Sequence, residues 1–270
     1  MNVAVTGASG FVGTEILRQL PSARPVRRGE SLREAFAGAE VVIHLVGIIR
    51  ERGENTFQHA HVEVTRAVLE AAQAVGVRRY LHMSALGTRP DARSRYHQTK
   101  WAAEQLVRES GLAWTIFRPS VIYGPGDQSV HVLMKWLRRL PVAVVLGDGN
   151  SKIQPISVEN VARAFVTALS NGASIGKTYD LCGPVAFTWN ELYDKLAAVQ
   201  GLRRPKLHLP LGLARAMAAL MERVLPQPPF TRDQLLMVAE DNVGDPVPAQ
   251  QDLSVTSEAF EEGLRRLMLR

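Results

Sequence analysis

Short apolar segments alternate with longer amphipathic segments over the first 120 residues of the chain. Each apolar segment has the length and β-branched content of a buried strand, and each longer segment carries apolar residues at helical spacing. The strand candidates are residues 2–6, 40–46, 78–84 and 113–118, and the helix candidates are 11–20, 57–75 and 96–110. Strands that are apolar throughout and alternate with helices form parallel sheets covered on both faces, so the pattern predicts a doubly wound α/β fold.

The pattern changes after residue 124, where glycine and proline become frequent and strand signals become sparse. One more strand is predicted at residues 177–182, and we expect it to return to the sheet. Thr188 and Glu191 have the spacing of a capping box, which predicts a helix that runs to about Gln200.

A second helix is predicted at residues 211–225, which are apolar on most sides and are followed by prolines. The segment is too short to span a bilayer, and two interpretations remain. It packs within a small C-terminal lobe, or it contacts a partner protein or a membrane surface. The predicted domains are an α/β domain over 1–183, in which 126–150 contribute to a cleft, and a smaller C-terminal lobe over 184–270.

The composition, with 46% apolar and 21% charged residues, is that of a well-packed globular protein. The longest apolar runs are far shorter than the roughly 20 residues of a membrane-spanning helix, and no basic region precedes the first strand. We therefore expect a cytoplasmic protein, with peripheral membrane contact as the alternative. Cys182 is the one cysteine, which rules out an internal disulfide framework, and no converging ligands predict a metal site.

The net charge of +6 and the isoelectric point near 9.8 favour anionic partners. The chain has no run of five or more basic residues and no basic stripe interleaved with aromatic residues, so nucleic acid is not the expected partner. A small-molecule substrate is expected instead.

The stretch TGASGFVG joins the first predicted strand to the first predicted helix. Gly7, Gly10 and Gly13 in it follow the spacing G-x-x-G-x-x-G. In this context Gly7 permits a tight turn, Gly10 lets the backbone approach a pyrophosphate, and Gly13 lets the helix pack on its strand. The N-terminus of the helix adds free N–H groups, so the loop predicts a dinucleotide phosphate site.

The residues expected to bind the adenine ribose are basic rather than acidic. Arg27 and Arg28 lie where an acidic residue usually binds the ribose hydroxyls. Guanidinium groups suit a 2′-phosphate, which favours NADP(H) over NAD(H). Two arginines exposed to solvent are the alternative interpretation.

The spacing between the first helix and the strand at residue 40 is about 20 residues, roughly half of what two strand–helix units need. One unit is therefore expected to be missing. Residues 24–28 would form an edge strand and 31–39 one helix, which leaves the adenine side more open and weakens cofactor binding.

The segment YHQTK places Tyr96 and Lys100 at i and i+4, on one face of a helix. An ammonium near a phenol lowers the pKa of the phenol, which allows proton exchange with a substrate hydroxyl or carbonyl. Ser84 ends a strand at the carboxyl edge of the sheet, where its hydroxyl could bind the same substrate oxygen.

Five motifs in order, TGASGFVG, VVIHLVG, MSALG, YHQTK and RPSVIYGPGD, resemble the short-chain dehydrogenase/reductase superfamily. The extended or atypical branch of NAD-dependent epimerase/dehydratase-like proteins is the most similar. QPISVENVA, GKTYDLCGP, PPFTRDQL and EDNV resemble the group of the dehydrogenase-like accessory subunit of respiratory complex I, as does His61, where epimerases usually carry asparagine. The chain lacks the acidic Asp-Leu pair that usually follows the third strand and helps to seat adenine.

The resemblance implies a dinucleotide-binding domain of the Rossmann type over 1–183 and a C-terminal substrate lobe over 184–270. It further implies Tyr96 as acid/base, Lys100 as the residue that holds the nicotinamide ribose, and Ser84 as the residue that orients the substrate. The residues and the resemblance together predict a set of cofactor-binding residues, namely Gly7, Ser9, Gly10, Phe11, Val12, Gly13, Arg27, Arg28, Leu45, Val46, Gly47, Lys100 and Pro119.

Two functions fit these features. The first is an NAD(P)-dependent oxidoreductase or epimerase-like enzyme that moves hydride between nicotinamide and a carbonyl or hydroxyl substrate. The second is a non-catalytic NAD(P)H-binding module that stabilises or regulates a protein complex.

Overall fold

A computed structural model describes residues 1–226, 228–256 and 258–268. The chain divides into two compact units. Unit 1 consists of Met1–Pro119, Val158–Leu181 and Asp245–Thr256; unit 2 consists of Ser120–Ser157, Cys182–Gly244 and the described C-terminal residues 258–268. Residues 120–157 thus belong with the C-terminal part of the chain, and the functional boundary at residue 183 stays a prediction.

The described residues form twelve strands, eleven α-helices, a π-helical turn and a short 3-10 helix at Gly172–Ser174. The strands are β1 (Val3–Thr6), β2 (Arg24–Pro25), β3 (Val41–His44), β4 (Arg79–Met83), β5 (Ala113–Pro119), β6 (Ile122–Tyr123), β7 (Ala143–Leu146), β8 (Lys152–Ile153), β9 (Ile156–Ser157), β10 (Lys177–Leu181), β11 (Phe187–Thr188) and β12 (Lys206–Leu209). The helices are α1 (Phe11–Gln19), α2 (Leu32–Ala35), α3 (Val64–Ala74), α4 (Arg95–Glu109), α5 (Val130–Arg139), α6 (Val158–Ala168), α7 (Trp189–Val199), α8 (Leu211–Val224), α9 (Arg232–Val238), α10 (Val247–Leu253) and α11 (Phe260–Met268).

Unit 1 is built on a parallel sheet of six strands in the order β10-β5-β4-β3-β1-β2, which confirms the predicted Rossmann-type α/β fold. The strands are buried along most of their length because helices cover the sheet. The strand predicted at 177–182 returns to the sheet as β10, beside β5.

The edge of the sheet is shorter than predicted. β2 has two residues, and α2 has four. The Arg24 side chain ties this edge to α2, donating to the carbonyl oxygens of Glu34 (2.8 Å) and Ala35 (2.5 Å) and pairing with Glu30 (2.6 Å). Between β2 and β3 the described chain has no other helix or strand, as the short spacing predicts.

The long helix predicted at 57–75 begins with a π-helical turn over Gln58–Glu63 and continues as α3. The hydrogen bonds of a π turn join residues five positions apart instead of four, and such turns are frequent at functional sites. His61 lies in this turn and is buried.

Unit 2 has its own core, in which residues of α5, α7 and α11 pack together with β7, and β7 pairs with β12. Thr188 and Glu191 form the predicted capping box at the start of α7. Within the described residues no helix has both the length and the apolar character needed to cross a bilayer.

Candidate functional site

The glycine loop turns from β1 directly into α1. Gly7 has φ +71°, which non-glycine residues rarely adopt, and the N–H of Gly10 donates to the oxygen of Gly7 (3.0 Å). A Cβ on Gly13 would lie 2.4 Å from the Gly7 oxygen, so only glycine allows this packing of α1. Ser9 and Gly10 are exposed at the tip of the loop.

The first turn of α1 includes Phe11, Val12 and Gly13. The N–H groups of a first turn have no acceptor within the helix and point out of its N-terminal end. A Cβ on Gly10 would contact only the Gly7 oxygen, at 3.2 Å, so the exposed backbone can be approached closely. The loop therefore fits a phosphate group, whose charge the helix dipole favours.

The glycine loop lies against the end of β3. A Cβ on Gly7 would be 3.0 Å from both the carbonyl carbon of Leu45 and the nitrogen of Val46. The chain then continues to Gly47, where a Cβ would lie 2.9 Å from Lys100 Nζ. The predicted cofactor residues after β3 thus connect the glycine loop to the lysine of α4.

Lys100 is buried, and its Nζ donates to the carbonyl oxygen of Met83 at the end of β4 (3.0 Å). Burial lowers the pKa of Lys100 to about 8, although the carboxylate of Glu104 opposes this shift. The ammonium is therefore held in place but carries a proton that it can release near physiological pH.

Tyr96 is half-buried in a group of aromatic rings. Its ring is edge-on to those of His61 (5.3 Å between centroids), Phe57 (5.8 Å) and His97 (5.2 Å). Burial raises the pKa of Tyr96 to about 12, so the expectation that Lys100 lowers the pKa of the phenol is wrong for this structure. The cause is the loss of hydration around the phenolate, so the phenol is protonated at neutral pH and can donate a proton.

Ser84 follows directly after the carbonyl that binds Lys100. Its N–H donates to the oxygen of Phe117 (2.7 Å), and its hydroxyl donates to Thr88 at 3.4 Å. Pro119, at the end of β5, accepts from the N–H of Leu86 (2.9 Å). The segment after β4 is thereby fixed to β5 at the carboxyl edge of the sheet.

Arg27 and Arg28 are exposed just beyond β2. The backbone N–H of Arg27 donates to the carboxylate of Glu30 (2.9 Å). Both arginines follow β2, the edge strand that pairs with β1. This is the edge of the sheet at which the adenine ribose is expected.

His61 is the residue whose structural role the sequence analysis missed. Its Nδ1 is 2.9 Å from the hydroxyl of Thr99, and its Nε2 is 3.0 Å from the oxygen of Ile48. Burial lowers the pKa of His61 to about 2, so the ring is neutral. The ring therefore braces the chain beside Gly47 against α4, and its contact with the Tyr96 ring orients the phenol.

A spacing argument could not have found this role, because Ile48, His61 and Thr99 are brought together only by folding. In the described residues no three His, Cys, Asp or Glu side chains are arranged to hold a metal ion.

Comparison with known proteins identifies relatives of two kinds. The mitochondrial NADH dehydrogenase (ubiquinone) 1 alpha subcomplex subunit 9 of Arabidopsis thaliana is 32% identical over 206 residues, which cover 76% of this chain and 51% of the relative. The chain thus spans about half of the length of that protein. The ceramide reductase of Caulobacter vibrioides is 32% identical over 236 residues, covering 77% of this chain and 73% of the relative.

Among solved structures, MoeE5 in complex with UDP-glucose and NAD aligns with a TM-score of 0.79, covering 100% of this chain and 98% of that chain at 21% identity. This likeness confirms the fold. The NAD dependent epimerase/dehydratase family matches residues 3–182, which contain the glycine loop, Ser84, Tyr96 and Lys100. The chain therefore belongs to the NAD dependent epimerase/dehydratase family.

Proposed function

We propose that the chain is a nicotinamide-dependent oxidoreductase or epimerase-like enzyme acting on a carbonyl or hydroxyl substrate. The observation that carries this proposal is the continuous set of contacts from the glycine loop through Gly47 to buried Lys100, one helical turn from Tyr96. A helix N-terminus for phosphate, a buried lysine and a protonated phenol are the groups that hydride and proton transfer need.

The cofactor, when bound, supplies the hydride. In the proposal the amides of the first turn of α1 would hold its phosphates, and Lys100 would donate to the hydroxyls of the nicotinamide ribose. Tyr96 gives a proton to the substrate oxygen, and the hydroxyl of Ser84 orients that oxygen. The raised pKa of Tyr96 suits reduction of a carbonyl, because the phenol begins the reaction protonated.

The finer proposal is a preference for NADP(H) through Arg27 and Arg28. Their exposure at the sheet edge leaves both guanidinium groups available to a 2′-phosphate. Fluorescence titration with NADPH and NADH tests this, with Arg27→Ala/Arg28→Ala expected to weaken NADPH binding about tenfold or more and to leave NADH binding unchanged. Equal affinity of the wild type for both cofactors contradicts the preference.

Tyr96→Phe tests catalysis separately from binding. It is expected to lower kcat by about 10²–10⁴ for a reducible carbonyl substrate while leaving the Kd for the cofactor unchanged. Gly10→Glu is the matched binding control, because a carboxylate at the loop tip repels phosphate and should abolish binding of both cofactors.

The second candidate function is a non-catalytic module that binds NAD(P)H and stabilises a protein complex. The similarity to the NADH dehydrogenase subunit over 76% of this chain favours it. Three results together would identify this module. The protein would bind the cofactor, it would show no turnover across a panel of carbonyl substrates, and the Tyr96→Phe variant would still support its cellular role.

A further inference from the structure

Unit 2 exposes a stripe of large aliphatic side chains along α8. Leu213, Met217, Leu220 and Val224 recur at i, i+4, i+7 and i+11, so they lie along one side of the helix. Leu220 is 64% exposed and Val224 is 68% exposed. The packing of α8 on unit 2 uses a different side, through two small residues, Ala214 and Ala218.

The apolar surface continues past the start of α8. We call it the α8 surface, and it consists of the exposed side chains of Leu207, Leu211, Leu213, Met217, Leu220, Val224 and Leu225. Seven exposed large aliphatic residues thus lie within 19 positions, and such a concentration of exposed apolar side chains is typical of an interaction site.

The end of α5 lies beside the β12 end of this surface. The N–H of Ala143 donates to the oxygen of Pro205 (2.9 Å), and the guanidinium of Arg204 donates to the oxygen of Leu137 (3.0 Å). Arg138 and Arg139, in the last turn of α5, are therefore close to the start of β12.

The charge of the chain is concentrated in the same two segments. Residues 130–146 and 200–225 contain eight Lys or Arg and one Asp or Glu, a net charge of +7 in a chain whose whole net charge is +6. The acidic residue, Glu222, pairs with Arg232 (2.7 Å). Lys206 pairs with Asp194 of α7 (2.6 Å). The rest of the chain is close to neutral, so most of the excess basic charge lies in the segments that carry or adjoin the exposed aliphatic side chains.

We propose that the α8 surface binds peripherally to a bilayer whose headgroups are anionic. Its aliphatic side chains enter the boundary between headgroups and acyl chains, and the arginines around it contact lipid phosphates. Aliphatic side chains flanked by arginines suit this boundary because the acyl chains are apolar and the adjacent headgroups are negatively charged. A second copy of the chain is a poor occupant, because two such basic surfaces repel each other.

Cosedimentation of the full chain with vesicles tests the proposal. Vesicles of phosphatidylcholine alone are compared with an equal mixture of phosphatidylcholine and phosphatidylglycerol. We expect binding to the mixture, little binding to phosphatidylcholine, and weakening by salt, because ions screen the attraction to phosphate.

Two variants separate the apolar and the charged contributions. Leu213→Ser/Leu220→Ser is expected to weaken binding about tenfold or more, because serine does not gain the free energy that leucine gains on transfer from water into the apolar part of the bilayer. The matched control is Ile175→Ser/Val185→Ser, which changes side chains of similar exposure elsewhere and should bind as the wild type does.

The charge variant is Arg139→Gln/Arg203→Gln, and we expect it to weaken binding about tenfold. Arg66→Gln/Arg163→Gln removes the same charge from exposed positions in unit 1 and should have little effect. Circular dichroism checks that all four variants are folded.

Three results would overturn the proposal. The first is absence of binding to the anionic vesicles, which would leave an acidic protein as the occupant. The second is equal binding by the Leu213→Ser/Leu220→Ser variant and its control. The third is a wild-type dimer in gel filtration that the serine variant converts to a monomer. None of these results bears on the proposed chemistry, because no substituted residue belongs to the candidate site.

Discussion

Replacing Lys100 with methionine is expected to stabilise the protein near neutral pH while removing its proposed activity. Lys100 is 2% exposed, and burial lowers its pKa from 10.5 to about 8. The difference measures the extra free energy needed to keep the ammonium charged in the folded protein. At about 1.4 kcal/mol per pKa unit, this cost is about 3 kcal/mol.

The hydrogen bond from Lys100 Nζ to the Met83 oxygen offsets part of the gain. Methionine leaves that carbonyl without its donor, which costs about 1 kcal/mol. The net expectation at pH 7 is that Lys100→Met raises the free energy of unfolding by about 2 kcal/mol. Such opposition between stability and function is common where a charged group is buried for chemistry.

The pH dependence has a definite sign. Below pH 8 Lys100 is charged in both the folded and the unfolded state, so the wild type carries the full cost. Between about pH 8 and 10.5 the unfolded chain binds more protons than the folded one, and wild-type stability therefore rises with pH. The advantage of the variant should vanish over that range.

Urea unfolding at pH 7 and pH 10, followed by the fluorescence of the four tryptophans, measures both effects. Buried tyrosines also titrate at high pH, but they are common to both proteins and cancel in the difference. Lys135→Met, at an exposed position of α5, is the control and should change stability by about 0.5 kcal/mol or less. A Lys100→Met variant that is less stable than the wild type at pH 7 would refute the reasoning.

Three further predictions concern the same unit. Burial lowers the pKa of His44 to about 3 and that of His61 to about 2, so the unfolded chain binds more protons than the folded one below pH 6.5. The free energy of unfolding should therefore fall by about 2 kcal/mol for each histidine at pH 5, which urea unfolding at pH 7 and pH 5 measures. Gly13→Ala should lower the free energy of unfolding by about 1–3 kcal/mol and weaken cofactor binding, because its Cβ would meet backbone atoms of the loop. Gly172→Ala has open space around it and should have neither effect. Thermal melts and cofactor titrations measure the two effects. Glu104→Gln leaves two guanidinium groups without their buried carboxylate and should cost about 3 kcal/mol of unfolding free energy; an unchanged urea midpoint would contradict this.

The features that the sequence predicted correctly are encoded by neighbouring residues. The apolar strands and amphipathic helices follow from periodicities of about two and 3.6 residues, which contiguous segments carry. The glycine loop lies within eight residues, and Tyr96 and Lys100 share a helix face because they are four positions apart. The absence of one strand–helix unit at the edge of the sheet followed from counting residues between segments, although the strand and helix that remain there are shorter than predicted.

The features that the sequence did not determine depend on residues far apart in the chain. Gly47 contacts Lys100, and His61 braces Ile48 against Thr99, only because the ends of the parallel strands meet at one edge. The pKa of Tyr96 had the wrong sign in the sequence analysis, because the spacing revealed the nearby charge but not the burial. Desolvation depends on everything that packs around a group, and that packing exists only in the folded protein.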